Sequence, residues 1–242
     1  MAHTFDTSLY ATGSSNPQTM SFTCGAGTTL FVLGIGVAGS TARTAGTPTF
    51  GGIQMKSIGA LTNTEASGEL WYHLSPSTGA AYTVSVPNAA TSKTLYLRGA
   101  SMKAAAGYTS AYDASASVAA TTAEPSIGIV ASVTGDAILQ QYSTGLQTIP
   151  TVGNEYPGQY ILRVDHGNYG TAMQWYTTPG AATYIMGYKS GGTSDDYVLI
   201  TASFKEISAG QIKSISGILD STINKISNTL YSVVNKVSRL TN

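Results

Sequence analysis

Between Glu69 and Val86 the chain alternates residue types on both sides of a break. Leu70, Tyr72 and Leu74 interleave with Glu69, Trp71 and His73, and then Ala80, Tyr82, Val84 and Val86 interleave with Ala81, Thr83 and Ser85. Successive side chains of a strand point to opposite faces of a sheet, so this period of two on either side of Ser75-Pro76-Ser77-Thr78-Gly79 predicts a half-buried antiparallel hairpin. Shorter strand-like pieces, Phe5 to Ala11 and Thr19 to Cys24, come before it, parted by the loop signal Gly13-Ser14-Ser15-Asn16-Pro17. Thr28 to Val37 is a nearly continuous apolar run, too short for a lone helix, and predicts a central strand covered on both faces. Thr47 to Ser57 reads as a tight hairpin, because Gly51-Gly52 supplies the positive φ angles of a two-residue turn.

Beyond the central pattern, Thr94 to Met102 predicts a strand. Ala104 to Thr122, dominated by Ala, Ser, Thr and Tyr, predicts a surface excursion with irregular pairing. Six further candidates are Ser126–Val133, Asp136–Tyr142, Gln159–Val164, Ala172–Thr177, Thr183–Tyr188 and Tyr197–Lys205. Turn signals such as Pro157-Gly158 and Pro179-Gly180 separate them at the spacing of a sandwich or barrel. No helix-period segment interrupts residues 1–206. The expected body is all-β, an antiparallel β-sandwich of jelly-roll or concanavalin-like type.

From Gln211 the pattern changes to a repeat of period 11. Ile212, Ile223 and Val234 align, as do Ile215, Ile226 and Val237, and Leu219 aligns over Leu230. Eleven residues make three turns of about 3.67 residues, so a helix would carry one apolar stripe. Gly217 and the many Ser, Asn and β-branched residues instead suit an extended or turn-rich arm. Either form leaves Ile212, Ile215, Leu219, Ile223, Ile226, Leu230, Val234 and Val237 in need of a partner. Residues 207–242 are therefore expected to be a tail for oligomerisation or attachment. They hold Lys213, Lys225, Lys236 and Arg239 against Asp220, so their charge is opposite in sign to that of the remainder.

Composition narrows the function. Only 10% of residues are charged and the formal net charge is zero, so solubility rests on hydroxyls and amides, and no basic field exists to neutralise phosphates; nucleic acid is not an expected partner. The single cysteine, Cys24, rules out an intrachain disulfide framework and reads as a small buried hydrophobe. The opening Met-Ala-His-Thr-Phe-Asp lacks a basic and an apolar region, so no Sec-type signal is expected. No run reaches the roughly 18 apolar residues of a membrane helix, so membrane insertion is not expected either.

Candidate chemistry is sparse. Gly34, Gly36 and Gly39 spell G-x-G-x-x-G after a strand, but the following Ser40 to Pro48 is a poor helix and no acidic residue stands near Gln54 to Ser57. Close packing or a bulge explains these glycines better than a nucleotide. There is no G-x-S-x-G, no H-E-x-x-H and no cysteine pair. Asp165-His166 are adjacent in a strand and face opposite ways, and Asp195-Asp196 beside Gly191-Gly192 reads as a solvated turn rather than a Ca²⁺ site. No catalytic residue, metal ligand or cofactor is expected. Tyr169, Trp175, Tyr176, Tyr184 and Tyr188 gather late in the chain. Of these, Tyr169, Trp175 and Tyr176 are the candidates for glycan or protein contact, since Trp175 and Tyr176 cannot both face inward from one strand.

The order of TLFVLGIGV (29–37), TPTFGGIQM (47–55), ELWYHLSPSTGAAYTVSV (69–86) and DYVLITASFKE (196–206) resembles a β-sandwich domain of bacterial surface proteins and phage virion proteins. The chain departs from it at His73, where an apolar residue is usual, which puts the facing of that strand in question. Ile212-Lys213-Ser214-Ile215-Ser216-Gly217-Ile218 and Ile223-Asn224-Lys225-Ile226-Ser227-Asn228 resemble the I-x-K-I-S-G-I repeats near the ends of tailed-phage structural proteins. The resemblance implies a non-enzymatic virion component, a capsid decoration, head fibre or tail-associated protein. It would be assembled in the host cytoplasm, be homo-oligomeric, and contact other capsid or tail proteins. A carbohydrate-binding module or adhesin for host surface glycans is the alternative.

Overall fold

The computed structural model describes residues 2–38, 46–88, 93–122, 124–145, 159–166, 169–188 and 195–208; at 38, 159–166, 169, 170 and 195 the description is of the backbone alone. All regular structure within these residues is β. The strands of residues 4–103 are β1 (Thr4–Gly13), β2 (Gln18–Thr23), β3 (Leu30–Ala38), β4 (Thr49–Phe50), β5 (Ile53–Gln54), β6 (Lys56–Thr62), β7 (Ala66–Leu74), β8 (Ala81–Val86) and β9 (Leu95–Lys103). Those of residues 108–208 are β10 (Tyr108–Thr122), β11 (Ser126–Ala131), β12 (Ala137–Thr144), β13 (Gln159–His166), β14 (Tyr169–Thr177), β15 (Ala182–Gly187) and β16 (Asp195–Ser208).

They form four sheets. Residues 4–103 supply a five-stranded sheet ordered β1-β9-β3-β7-β6 and a four-stranded sheet ordered β2-β8-β4-β5. Residues 108–208 supply a five-stranded sheet ordered β10-β16-β12-β14-β13 and a two-stranded sheet, β11-β15. Every strand pair with a defined register is antiparallel.

Alternation along β3 shows how the layers stack. Phe31, Leu33, Ile35 and Val37 point into a core shared with Phe22, Phe50, Val84 and Val86 of the four-stranded sheet. Leu30 and Val32 point the other way, into a core built with Leu139, Met173, Val198, Ile200 and Phe204 of the second five-stranded sheet. The far face of that second sheet, with Ile138, Tyr142 and Leu199, is covered by β11 and β15 through Ile127, Ile129 and Met186. The two five-stranded sheets thus lie face to face in the middle, each with a smaller sheet outside it. Each fully buried aliphatic side chain contributes roughly 2 kcal/mol by leaving water, and β3 is covered on both faces as its composition predicts.

Three expectations need correction. Glu69 to Val86 is not a hairpin: β7 pairs with β3 and β6, while β8 pairs with β2 and β4 in the other sheet. The break between them turns a corner, because Ser75 N–H donates to Thr29 O at 2.8 Å and Gly79 N–H donates to Cys24 O at 3.0 Å instead of bonding across the break. Nor is β7 half-buried, since the positions taken as outward are also covered. Glu69 is buried and its Oε2 accepts the Trp71 Nε1–H at 2.8 Å. His73, on the same face as Trp71, stacks on Phe50 at 5.9 Å, and burial depresses its imidazole pKa.

The supposed excursion from Ala104 is in fact β10, a 15-residue strand beside β16. Ala114, Ala116, Val118 and Ala120 form its inward row. The period of two is present there, but alanine is too small a hydrophobe to make it visible among serines and threonines. The tight hairpin stands: Gly51 and Gly52 have φ of 57° and 83° between β4 and β5.

Candidate functional site

The eight tail positions, Ile212, Ile215, Leu219, Ile223, Ile226, Leu230, Val234 and Val237, lie outside the described residues. Tyr169 begins β14 opposite His166. Trp175 and Tyr176, next to each other on β14, point to opposite faces. Trp175 is half-buried against the core between the two large sheets and stacks on Phe5, with ring centroids 5.8 Å apart and planes 24° apart. Tyr176 packs against Tyr184 at 5.5 Å on the outer side, and burial raises its phenol pKa. Tyr188 is fully buried against Tyr142 at 4.7 Å. The late aromatics therefore distribute over two cores, and their described side chains do not form one platform.

The charged side chains that are organised are ones the sequence reading passed over. Asp6 on β1 is held by four groups. Lys103 Nζ lies 2.8 Å from Oδ1, and Gly25 N–H, Thr28 Oγ1–H and Ser101 Oγ–H each donate to Oδ2 at 2.8 Å. Burial pushes this carboxyl up, but the bonds outweigh it and hold the pKa at about 2. On β10, Asp113 accepts from Lys205 Nζ at 2.9 Å and from Ser132 N–H at 3.1 Å. There too burial raises the pKa, and the bonds from Lys205 and Ser132 carry it below the usual carboxylate range. A signal for both sites was present in the sequence: Phe5-Asp6-Thr7-Ser8 is echoed by Tyr112-Asp113-Ala114-Ser115, and Ala100-Ser101-Met102-Lys103 by Ala202-Ser203-Phe204-Lys205.

The interior is polar in places. Gln140 Nε2–H donates to Thr201 Oγ1 at 2.8 Å, and Gln174 Nε2–H donates to Gln140 Oε1 and to Gly187 O. Arg98 on β9 is fully buried, and none of its three guanidinium nitrogens has a hydrogen-bond partner. Desolvation lowers its pKa to about 9, against a smaller opposing pull from Tyr188, Tyr10 and Tyr96. Cys24 is buried, and desolvation raises its thiol pKa to about 12, so it behaves as a small apolar side chain.

Gly34 and Gly36 lie mid-strand in β3. A Cβ on Gly34 would collide with Gln141 Oε1, and one on Gly36 with Thr171 Cγ2, so these glycines admit side chains of the second large sheet. Gly39 lies outside the described residues. Among the described residues no group of three or more His, Cys, Asp or Glu could hold a metal ion, and no helix is long and apolar enough to cross a membrane.

No protein-family model matches the chain, and no curated protein matches it.

Proposed function

We propose that the protein is a non-enzymatic structural component of a tailed-phage virion, a capsid decoration, head fibre or tail-associated protein. On this reading it displays a β-body of jelly-roll type and is attached or oligomerised through residues 207–242. The observation that carries the reading is the strand order of residues 4–103. With the edge strand β6 set aside, eight strands remain in two four-stranded sheets, β1-β9-β3-β7 and β2-β8-β4-β5. The first strand pairs the last, and the chain crosses repeatedly between sheets; this is the jelly-roll order, which recurs in viral capsid and lectin domains. A surface with few charges and the phage-like repeat of residues 212–228 add support. The partners would be other virion proteins and further copies of the chain.

Lectin jelly rolls keep glycan binding as the second reading. It would need an accessible aromatic surface, whereas Trp175 is stacked on Phe5 and Tyr176 is packed on Tyr184.

The test compares the full chain with one ending after Ser208, by light scattering and by co-sedimentation with purified phage particles. An oligomeric, particle-bound full chain beside a monomeric, unbound truncation supports the proposal. A monomeric full chain that ignores particles but binds a glycan array saturably overturns it in favour of the second reading.

A further inference from the structure

Seven strands of the first part have counterparts in the second, β4 and β5 having none among the described residues. Substituting β10 for β1, β11 for β2, β12 for β3, β13 for β6, β14 for β7, β15 for β8 and β16 for β9 turns the first large sheet into the second, and β2-β8 into β11-β15. The register agrees as well. Leu30 lies between Met102 and Leu74, and Ala137 lies between Phe204 and Thr177. At the corner that follows, Ser75 N–H donates to Thr29 O at 2.8 Å and Thr178 N–H donates to Asp136 O at 2.9 Å. Asp6, bonded to Lys103 and Gly25 N–H, has its counterpart in Asp113, bonded to Lys205 and Ser132 N–H. One constant step, the 107 positions that part His3 from Ser110, also carries Asp6 to Asp113, Gly25 to Ser132 and Leu30 to Ala137.

The contacts between the parts are reciprocal. Phe5 stacks on Trp175 at 5.8 Å, and their counterparts Tyr112 and Tyr72 stack at 5.6 Å. Gly36 faces Thr171, and the counterparts Ser143 and Gly68 face each other, a Cβ on Gly68 lying 3.2 Å from Ser143 Oγ. Two residues even touch their own counterparts: His3 Nε2 lies 2.9 Å from Ser110 Oγ, and Gly34 lies under Gln141. A residue meets its own image only on a two-fold axis.

We infer that the chain is a covalently fused dimer, in which residues 4–103 and 108–208 are two versions of one β-unit packed through the same sheet face about a pseudo-two-fold axis. The partner that this face recognises is a copy of the same fold. Along the axis the versions are complementary, since Gly34, Gly36 and Gly68 of the first leave room for Gln141, Ser143 and Thr171 of the second. Because the interface is satisfied within one chain, contacts with other molecules are left to the outer sheets, to strand edges and to residues 207–242.

The test exchanges residues across the axis in the full chain. Gly34→Gln alone is expected to lower Tm by about 5 °C or more through overpacking, and Gln141→Gly alone by a few degrees through a cavity. The double exchange, which rebuilds the pair in mirror order, is expected to return to within about 3 °C of the parent. A double variant that melts as low as the two losses summed would overturn the axis. If Gly34→Gln variants do not fold, a protease site placed at Ala106-Gly107 in the exposed β9–β10 turn decides the matter. After cleavage of the folded chain the two pieces should remain a 1:1 species of unchanged mass, and their separation would overturn the interface.

Discussion

His3 and Ser110, 107 positions apart, meet across 2.9 Å, while the other imidazole nitrogen of His3 lies 3.0 Å from Gly135 O. A carbonyl only accepts, so Nδ1 carries the proton and Nε2 accepts from the Ser110 hydroxyl. Burial depresses the pKa of His3 below 6.5. The unfolded chain therefore binds more protons below that pH, and stability falls as pH drops through 6.5 toward the folded pKa, then levels off. Thermal melts from pH 8 to pH 5 should show a steeper loss for the parent than for His3→Gln. Parallel curves would mean that His3 does not titrate as its setting requires.

Asp6 also loses its stabilising contribution in acid, but over a lower range of pH. Its carboxyl falls from 3.8 to about 2 on folding, which corresponds to about 2 kcal/mol present above the unfolded pKa and lost as pH falls through the folded one. Asp6→Asn should cost about that much in urea unfolding at neutral pH and much less near pH 2. A loss that is the same at both pH values would assign the effect to packing.

Arg98 should be better replaced than kept, as far as stability is concerned. Its guanidinium is buried without hydrogen-bond partners, and its counterpart in the second unit is Ile200, a core residue. Arg98→Met preserves volume and removes the desolvation penalty, so the urea midpoint is expected to rise, by about 1–3 kcal/mol in unfolding free energy. A clear fall would reveal a pairing role for the cation.

Gly36→Ala places a methyl against Thr171 Cγ2, a branched side chain with little freedom to move. A loss of about 1–3 kcal/mol is expected. Thr171→Ala in the same chain removes the colliding methyl and should recover most of it. A double-mutant cycle measures the coupling directly, and strictly additive losses would contradict the contact.

The strands legible in the sequence were those whose apolar rows are large. β3 and β16 hold runs of Leu, Ile, Val and Phe, β9 carries Leu95, Tyr96, Leu97 and Met102, and β2 and β8 alternate cleanly. β10 hid because its inward row is mostly alanine. The β7–β8 corner was mistaken for a hairpin because alternation states that a strand has two faces, but not which sheet its neighbour joins. The duplication is faint for a related reason. Trp71-Tyr72 and Trp175-Tyr176 look like matching pairs, yet the register makes Tyr72 the counterpart of Trp175, one place out of step. A shift of one in a strand exchanges its faces, so matching letters there gives the wrong alignment. The acid–lysine pairs were readable only as two faint echoes, because their meaning depends on the first and last strands of a unit being neighbours. That neighbourhood is a long-range fact which no local pattern carries.

Pairing of β1 with β9, in which Thr4 lies opposite Lys103, also bears on how the protein comes into being. β1 has no sheet neighbour until β9 exists, and β10 has none until β16 exists. Contacts closed over such long loops form slowly. A chain emerging from the ribosome therefore passes through two successive closures, each within its own unit, instead of one that waits for the whole body. The first unit can bury its inner core before the second is complete, and until then its face of Leu30, Val32, Ala100 and Met102 stays uncovered. Synthesis sets how long that face must wait for its image.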